Sequence, residues 1–482
     1  MEGRNQVSEK EFSIRVKDLS FDEQVWPCAE DKLGRYKEIE SLTPLMINAQ
    51  APLVFCLDAP WGAGKTTFLR LWVKYFEKNS LASLYLNAWE CDFAEDPLVP
   101  LICTIDSWVE GRQGNPKARK AWEKAKKYAP GMIKSTAVAA AKVASFGALD
   151  LDKELEKIAA ELAGGAVGSI VDEFNIKKKS LEQFKIQLSR SLEALPDRQK
   201  NLVVFVDELD RCRPAYAIEV LERIKHLFDV DRVIFVLAMN CEQLGKSLQG
   251  VYGAAFDGVN YLKRFIDIDY RLRLPSAKEY LSARLQDPEV VRYFELRKNG
   301  ASEQEHVLEL LAFLVSRFDY TLRDINQLLG RLKLVLHGVP ADTNLEFFLI
   351  IPLLVLRERN HSLYSRYAKD PGCANEVVEF LLGYKIGEGG IEYQLAFMSG
   401  MLLGMARDPY SRRKLNSLAG PWKEWSAKLA ANVDNDREVA ELRRTVDLVL
   451  EIIADGRRFG GYGYSGSMVF DRIELLGELG FS

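Results

Sequence analysis

The sequence predicts an α/β protein whose mainly parallel sheet is covered by helices on both faces and is followed by an all-α region. Three observations predict this fold class. Short apolar runs typical of buried strands begin near Ala51, Leu202 and Arg232. Amphipathic stretches of helical period separate these runs, and such alternation is typical of parallel sheets. After Pro275 the apolar residues recur only at helical spacing.

The composition is that of an ordinary globular protein. The 482 residues are 48% hydrophobic and 28% charged, and the net charge of −4 gives no general basic excess for binding nucleic acid. Seven cysteines are scattered without a C-x-x-C pair, which indicates neither a disulfide framework nor a zinc site and favours a reducing cytoplasm. No apolar stretch reaches the ~18 residues that a membrane span needs. We therefore expect a soluble, cytoplasmic protein.

The turn after the first apolar run reads APWGAGKTT, from Ala59 to Thr67. It matches the phosphate-binding pattern G-x-x-x-x-G-K-[ST] except that Ala59 stands in place of the first glycine. Alanine is tolerated there if its φ is negative. We expect Lys65 to reach the β- and γ-phosphates of a nucleotide and the Thr66 hydroxyl to ligate Mg²⁺. The residues of this P-loop expected to bind the nucleotide are Trp61, Gly62, Ala63, Gly64, Lys65, Thr66 and Thr67.

A second apolar run ends in acids, in the sequence NLVVFVDELD from Asn201 to Asp210. This is the Walker B pattern, in which Asp207 holds Mg²⁺ through water. Glu208 is placed to polarise an attacking water. P-loop proteins that transfer phosphate to small molecules usually do not need this second acid, so Glu208 favours hydrolysis over a kinase. The alternative is a solvated strand end without catalytic function.

The next buried run ends at Asn240, whose side chain would orient the water beside the γ-phosphate or would merely end the strand. Three arginines, Arg211, Arg264 and Arg323, are candidates to neutralise transition-state charge. Each could instead form a salt bridge. The sequence leaves these alternatives open.

These motifs together resemble the KAP family of P-loop NTPases. The resemblance rests on PWGAGKTTFL from Pro60, LNAWE from Leu86 and VVFVDELDRC from Val203, together with DKLGR from Asp31 and NYLKRFIDIDYRLRLP from Asn260. The tryptophan before the G-x-G-K sequence and the Asn-Ala-Trp sequence are its more specific marks. The sequence departs from the family at the first P-loop glycine and in having Asp-Glu where members have two aspartates. Many members also insert transmembrane helices between the Walker motifs, whereas the corresponding segment here is too polar to span a membrane.

The resemblance implies an AAA+-like core of the additional-strand type that binds ATP and Mg²⁺ and is followed by a helical lid. Leu33 and Arg35 would lie near the adenine, and Arg323 would be the sensor-like arginine of the lid. The expected domains are an N-terminal segment (1–29), the core (30–275) with a helical insertion at about 91–199, the lid (276–340) and a C-terminal helical domain (341–482).

The family further implies an ATP-hydrolysing switch or motor that acts on protein partners encoded alongside it, in a homo- or hetero-oligomer. Its bacterial members look like parts of anti-phage defence. One alternative is a nucleotide-binding scaffold that does not hydrolyse ATP, which Ala59 favours and Glu208 opposes. Another is a nucleic-acid sensor or translocase. Its support is the segment Lys117–Lys127, rich in lysine and arginine, and the run Lys177–Lys179.

Overall fold

The computed structural model divides the chain into two compact units, one within Gln24–Leu274 and the other within Pro275–Ser482. The expected N-terminal segment lies outside the described residues. The structure describes residues 31, 33–111, 116–132, 170–193, 201–286, 291, 294–295, 300–336, 347–388, 390–404, 412–431, 437–454, 469–470 and 473.

The first of these units contains a five-stranded sheet in the order β2-β3-β4-β1-β5. All of its strand pairs are parallel, which confirms the predicted sheet. β4 lies between β1 and β3, and this is the additional-strand arrangement that the resemblance implied. The strands are β1 (Leu53–Asp58), β2 (Ser83–Asn87), β3 (Leu202–Asp207), β4 (Val233–Met239) and β5 (Ile268–Arg271).

Burial differs along the sheet in the way that the strand sequences dictate. Every residue of β3 and β4 is buried, because these two strands consist almost wholly of apolar, often β-branched residues. The short edge strand β5 alternates between half-buried and exposed positions. Its alternation includes charged residues, and the sequence patterns did not predict it as a strand. The carboxyl ends of β1, β3 and β4 meet at one edge, which is where the P-loop and the acids begin.

Helices cover this sheet and form the insertion. The helix α1 at the start of the core and α7 after β4 were not predicted from the sequence, whereas α2 and α6, which follow the apolar runs at Ala51 and Leu202, were. The helices of this unit are α1 (Tyr36–Asn48), α2 (Lys65–Lys78), α3 (Leu98–Gly111), α4 (Pro116–Tyr128), α5 (Ile170–Glu193), α6 (Pro214–Leu227), α7 (Cys241–Tyr252) and α8 (Gly258–Leu262).

The fully buried Trp72 joins α2 to the sheet and to α1. Its ring lies 6.1 Å from that of Phe55 on β1 and 5.3 Å from that of Phe205 on β3. Its indole N–H donates to the buried hydroxyl of Thr43 on α1, at 2.9 Å. The Thr43 hydroxyl donates in turn to the Ile39 carbonyl, at 2.7 Å. This chain of hydrogen bonds satisfies every polar group that the contact buries.

The described part of the insertion is helical, as predicted. α4 and α5 pack together through Trp122 and Phe184, whose ring centroids are 6.4 Å apart, and the Ser191 hydroxyl on α5 donates to the Ala118 carbonyl on α4, at 2.9 Å. Phe184 also contacts Phe228 beyond α6, at 5.9 Å, and this contact attaches the pair to the core.

The unit that begins at Pro275 is helical throughout its described residues. The apolar stretch at Phe347 forms a buried helix. No helix of the described residues is long and apolar enough to cross a membrane. Its helices are α9 (Ala277–Leu285), α10 (Gly300–Arg317), α11 (Leu322–Leu336), α12 (Phe347–Arg359), α13 (His361–Lys369), α14 (Ala374–Leu382), α15 (Tyr393–Gly404), α16 (Arg412–Ala430) and α17 (Arg437–Ala454).

The substitution Thr43→Val tests the hydrogen bond beneath α1. It keeps the side-chain shape but leaves the buried Trp72 N–H without an acceptor, at a cost of about 1–3 kcal/mol. We expect the melting temperature to fall by about 3–8 °C, measured by calorimetry. Ser41→Ala is the matched control, because that exposed hydroxyl bonds only to the Lys37 carbonyl of the same helix. Equal effects of the two substitutions would contradict this account.

Candidate functional site

The P-loop runs from the end of β1 to the start of α2 and depends on two glycines with positive φ. Gly62 has φ 79° and Gly64 has φ 86°, a region that other residues seldom adopt. Within the described residues, the N–H groups of Gly62, Gly64, Lys65 and Thr66 donate to no backbone oxygen. Orphan N–H groups at a helix start form an anion site, since the helix dipole adds to their partial charges.

Ala59 meets the condition under which alanine replaces the first glycine of the motif. The non-glycine residues of positive φ in the described chain are four others, so the φ of Ala59 is negative. Its N–H donates to the carbonyl of Met239 at the end of β4, at 3.3 Å. The side chain is buried without strain, and the substitution leaves the geometry of the loop intact.

Lys65 is buried, with 8% of its surface exposed. Its ammonium donates to the carbonyl of Ala59 at 2.7 Å and to that of Pro60 at 3.3 Å. The carboxylate of Asp210 lies 3.5 Å from the same nitrogen. These three acceptors hold the ammonium in a position from which it can exchange them for phosphate oxygens.

Asp210 is a site residue that the sequence analysis missed. Besides facing Lys65, its Oδ2 accepts from the indole N–H of Trp61, at 2.8 Å, and from the main-chain N–H of Asn240, at 2.9 Å. The side chain of Asp210 is only 2% exposed. This carboxylate therefore joins the P-loop, the end of β4 and the turn after β3. The sequence feature that could have indicated this role is that Asp210 is the third acid in the sequence DELD.

Asp207 is 1% exposed and lies at the end of β3. Burial raises the pKa of its carboxyl group, while hydrogen bonds from Thr66, Tyr85 and the Glu208 N–H and the charge of Lys65 oppose that shift. The Tyr85 hydroxyl donates to Oδ2 at 2.9 Å, and the Glu208 N–H donates to Oδ1 at 2.9 Å. The structure thus brings together Thr66 and Asp207, the two residues predicted to serve the metal.

Glu208 follows in a left-handed conformation, with φ 59° and ψ 27°. A non-glycine residue held there is strained by about 1–3 kcal/mol, and such strain commonly marks functional sites. Burial raises the pKa of its carboxyl group, and the neighbouring Arg211 charge opposes that shift. Arg211 Nη1 lies 2.9 Å from Glu208 Oε1. The side chain of Asn87, at the end of β2, also hydrogen-bonds this carboxyl.

The turn after β2 packs on the turn after β3. Asn87 Oδ1 accepts from the N–H groups of Trp89, at 3.1 Å, and Glu90, at 3.4 Å. Asp92 accepts from the N–H of Arg213 and from its Nε, both at 3.0 Å. The contacts of Asn87 explain why an asparagine ends the second strand.

Asn240 uses its side chain to cap a helix. Oδ1 accepts from the N–H of Gln243, at 3.0 Å, in the first turn of α7. Its main-chain N–H is held by Asp210, so the residue is fixed at the P-loop end of the sheet. The cap occupies the amide oxygen and leaves the amide nitrogen to be a donor. Its predicted role in orienting water stays a prediction.

Two further arginines, Arg264 and Arg323, are the predicted catalytic arginines. Arg264 is exposed in the turn after α8, with its guanidinium 5.6 Å from the Tyr261 ring centroid. No hydrogen bond or ion pair joins it to the P-loop in the part of the chain that the structure describes. Arg323 is exposed at the start of α11, in the unit that begins at Pro275. Both assignments stay predictions.

The predicted adenine-side segment precedes α1. Asp31 accepts from the N–H groups of Arg35 and Tyr36, both at 2.8 Å, and so fixes this turn. Leu33 is half-buried in it. Burial raises the pKa of Tyr270 on β5, and the charge of Arg35 opposes that shift, which places Arg35 near β5. Arg35 Nη2 is buried without a hydrogen-bond partner among the described residues, a donor that a ligand would satisfy.

A triphosphate and a magnesium ion fit these residues. The orphan N–H groups and Lys65 suit phosphate oxygens. Within the described residues, no group of three or more His, Cys, Asp and Glu forms a metal site. The ion would thus depend on Thr66, Asp207, water and phosphate, and Mg²⁺ is usually bound in this way.

Comparison with known proteins agrees with this geometry. A family model described as the KAP family P-loop domain matches residues 35–339. The phage T7 exclusion protein of Escherichia coli strain K12 is 22% identical over 266 residues. That match covers 53% of this chain and 35% of the relative, so the chain spans well under two thirds of the protein that it resembles.

The substitution Asp210→Ala tests the connection between the P-loop and β4. It removes the acceptor of the Asn240 N–H and the carboxylate beside the buried Lys65, at a cost of about 2–4 kcal/mol. We expect the melting temperature to fall by about 5–10 °C. Asp231→Ala, an exposed carboxylate before β4, is the control and is expected to change it little. A small effect at both positions would show that Asp210 carries no such connection.

Proposed function

The chain belongs to the KAP family of P-loop domains, and we propose that it binds ATP with Mg²⁺ and hydrolyses it as a switch or motor acting on a partner. The observation that carries this proposal is the meeting of Lys65, Thr66, Asp207 and Glu208 at the carboxyl edge of the sheet. Two of these residues come from the P-loop and two from the end of β3.

Each of these residues has a distinct role in the proposed reaction. Lys65 exchanges its present acceptors for oxygens of the β- and γ-phosphates. Thr66 and Asp207 hold the ion, which supplies charge neutralisation when it is bound. Glu208 accepts a hydrogen bond from the attacking water. This bond turns a lone pair of the water oxygen towards the γ-phosphorus. The Asn240 amide nitrogen donates a hydrogen bond that orients the same water.

The proposal extends to the biological setting. The relative is named for phage exclusion, and this supports a role in bacterial anti-phage defence with proteins encoded alongside. The exposed Arg264 is available to a neighbouring subunit of a homo- or hetero-oligomer, and the lid arginine Arg323 is proposed to respond to the nucleotide. A reducing cytoplasm is the proposed location.

Steady-state ATP turnover and ATP binding test the hydrolysis directly. Glu208→Gln is expected to lower kcat by about 10²–10⁴-fold while ATP still binds, because only the water-polarising carboxylate is lost. Lys65→Ala is expected to abolish binding, because the phosphates lose their cation. Lys246→Ala, which removes an exposed lysine paired with Glu242, is the control.

Tight ATP binding without turnover, both alone and with candidate partners or DNA present, would contradict hydrolysis and favour the non-hydrolysing scaffold. Under that outcome Ala59→Gly is the next variant to measure. The negative φ of Ala59 leads us to expect no gain from it.

A nucleic-acid sensor or translocase is the second candidate, and the exposed face of α4 favours it. Arg119, Lys120 and Lys124 are exposed there. Lys126 faces inward and pairs with Asp106 at 2.7 Å. The face is therefore a cluster of solvated positive charge suited to phosphates.

Reversing Lys120 and Lys124 to Glu tests this candidate. We expect DNA affinity to fall at least about tenfold and the slope of log affinity against log salt to shrink by about 2, since each phosphate contact contributes about 0.9. The double reversal of Lys246 and Lys369 makes the same change in net charge elsewhere. An identical response to both pairs, or no binding by the unmodified protein, would exclude a DNA site on α4.

A further inference from the structure

The guanidinium of Arg211 lies between Glu208 and Trp89. Nη1 is 2.9 Å from Glu208 Oε1, and the group lies over the Trp89 indole at 5.5 Å from its centroid. The side chain of Glu208 is 12% exposed and that of Arg211 is 32% exposed, while Trp89 is 51% exposed. The three side chains form a continuous path from the proposed water-polarising acid to the solvent.

The main chain beneath this path is fixed, so that only side chains are free to move. The Glu208 N–H donates to Asp207 Oδ1, and the Glu208 carbonyl accepts from the Arg211 N–H, at 3.1 Å. The Cys212 N–H donates to the Leu209 carbonyl, at 3.3 Å. Rotating the Arg211 side chain away would therefore leave the turn and the position of Glu208 unchanged.

The pair is not needed to join the two turns. Arg213 already joins the turn after β3 to the turn after β2 through three hydrogen bonds to Asp92, two to its carboxylate and one to its carbonyl. Within the described residues, the side chain of Arg211 pairs with Glu208 and lies over the face of Trp89. A charge-assisted hydrogen bond to the guanidinium occupies a lone pair of Oε1 and draws negative charge from the carboxylate, which weakens the hydrogen bond that the carboxylate can accept from a water.

We propose that Arg211 is a positioning residue that withholds the Glu208 carboxylate from water, and that the ring of Trp89 keeps Arg211 in this restraining position. This inference rests on the proposed hydrolysis. In the arrangement described above, Arg211 restrains the Glu208 carboxylate, and ATP turnover rises when the guanidinium moves away from it. Trp89 controls that step because its ring is the support that reaches the solvent.

The ATP turnover of the 482-residue chain tests the restraint. We expect Arg211→Ala to raise kcat about three- to tenfold while KM for ATP stays within about twofold, because a partly exposed ion pair is lost and the phosphate contacts are untouched. Trp89→Ala is expected to raise kcat less, by about twofold. Arg211→Lys and Trp89→Phe are expected to stay near the wild-type value, since one keeps the charge and the other keeps a ring. Arg213→Ala is the matched control and is expected to leave kcat unchanged.

A second measurement is independent of hydrolysis. The protein is labelled with 5-fluorotryptophan, and the ¹⁹F resonance of Trp89 is identified by its loss in Trp89→Phe. We expect this resonance to shift in Arg211→Ala and in Glu208→Gln, because each removes one neighbour from the path. Arg213→Ala is expected to leave it closer to its wild-type position than either.

The outcomes separate failure of this inference from failure of the proposed function. Lys65-dependent turnover that falls or stays constant in Arg211→Ala would overturn the restraint and leave hydrolysis standing. A rise of equal size in Arg213→Ala would also overturn it, since loosening of the turns would then be the cause. If the chemical shift of the Trp89 resonance is the same in Glu208→Gln as in the wild type, the proposed contact of the Glu208–Arg211 pair with the Trp89 ring would be overturned. Absence of turnover in every variant would overturn the proposed hydrolysis itself.

Discussion

The site depends on one buried carboxylate. Asp210 holds the P-loop through Trp61, holds the end of β4 through the Asn240 N–H, and faces the buried ammonium of Lys65. A buried cation without an anionic partner is costly, so the lysine needs this acid before any phosphate is present. Because the loop is already fixed, binding has only to exchange the acceptors around Lys65. The backbone N–H groups are in place beforehand, and such preorganisation reduces the free-energy cost of binding.

The parallel sheet explains why the other groups meet. Parallel strands point their carboxyl ends to one edge, and additional strand β4 brings Asn240 between the P-loop and the acids. The same edge buries Asp207 more deeply than Glu208. Burial raises the pKa of both carboxyl groups, but several donors around Asp207 oppose that shift, whereas at Glu208 the charge of one partly exposed arginine opposes it most. The surroundings of Asp207 therefore suit the proposed metal ligand, and those of Glu208 suit a group whose partner changes.

The sequence predicted the features whose cause is local. Buried runs become β3 and β4, and the P-loop glycines adopt the φ angles that their motif requires. The role of Asp210 was missed because its partners lie 149 residues away at Trp61 and 30 residues away at Asn240. The edge strand β5 was missed because its short alternating sequence carries no run of buried residues. Contacts that depend on the folded sheet leave no period or spacing in the chain.

The two tryptophans that mark the family resemblance contact consecutive residues, and for different chemical reasons. Trp61 gives its N–H to Asp210, so the position needs a donor on a rigid ring. Trp89 offers the face of its ring to Arg211, so the position needs a π surface and not a donor. The residues that they contact, Asp210 and Arg211, are not among those expected to hold phosphate or metal. Trp61 fixes the position of the P-loop, and Trp89 fixes that of Arg211 beside Glu208. The two tryptophans therefore position the groups of the proposed reaction. The reaction itself depends on Lys65 and on the two acids that end β3.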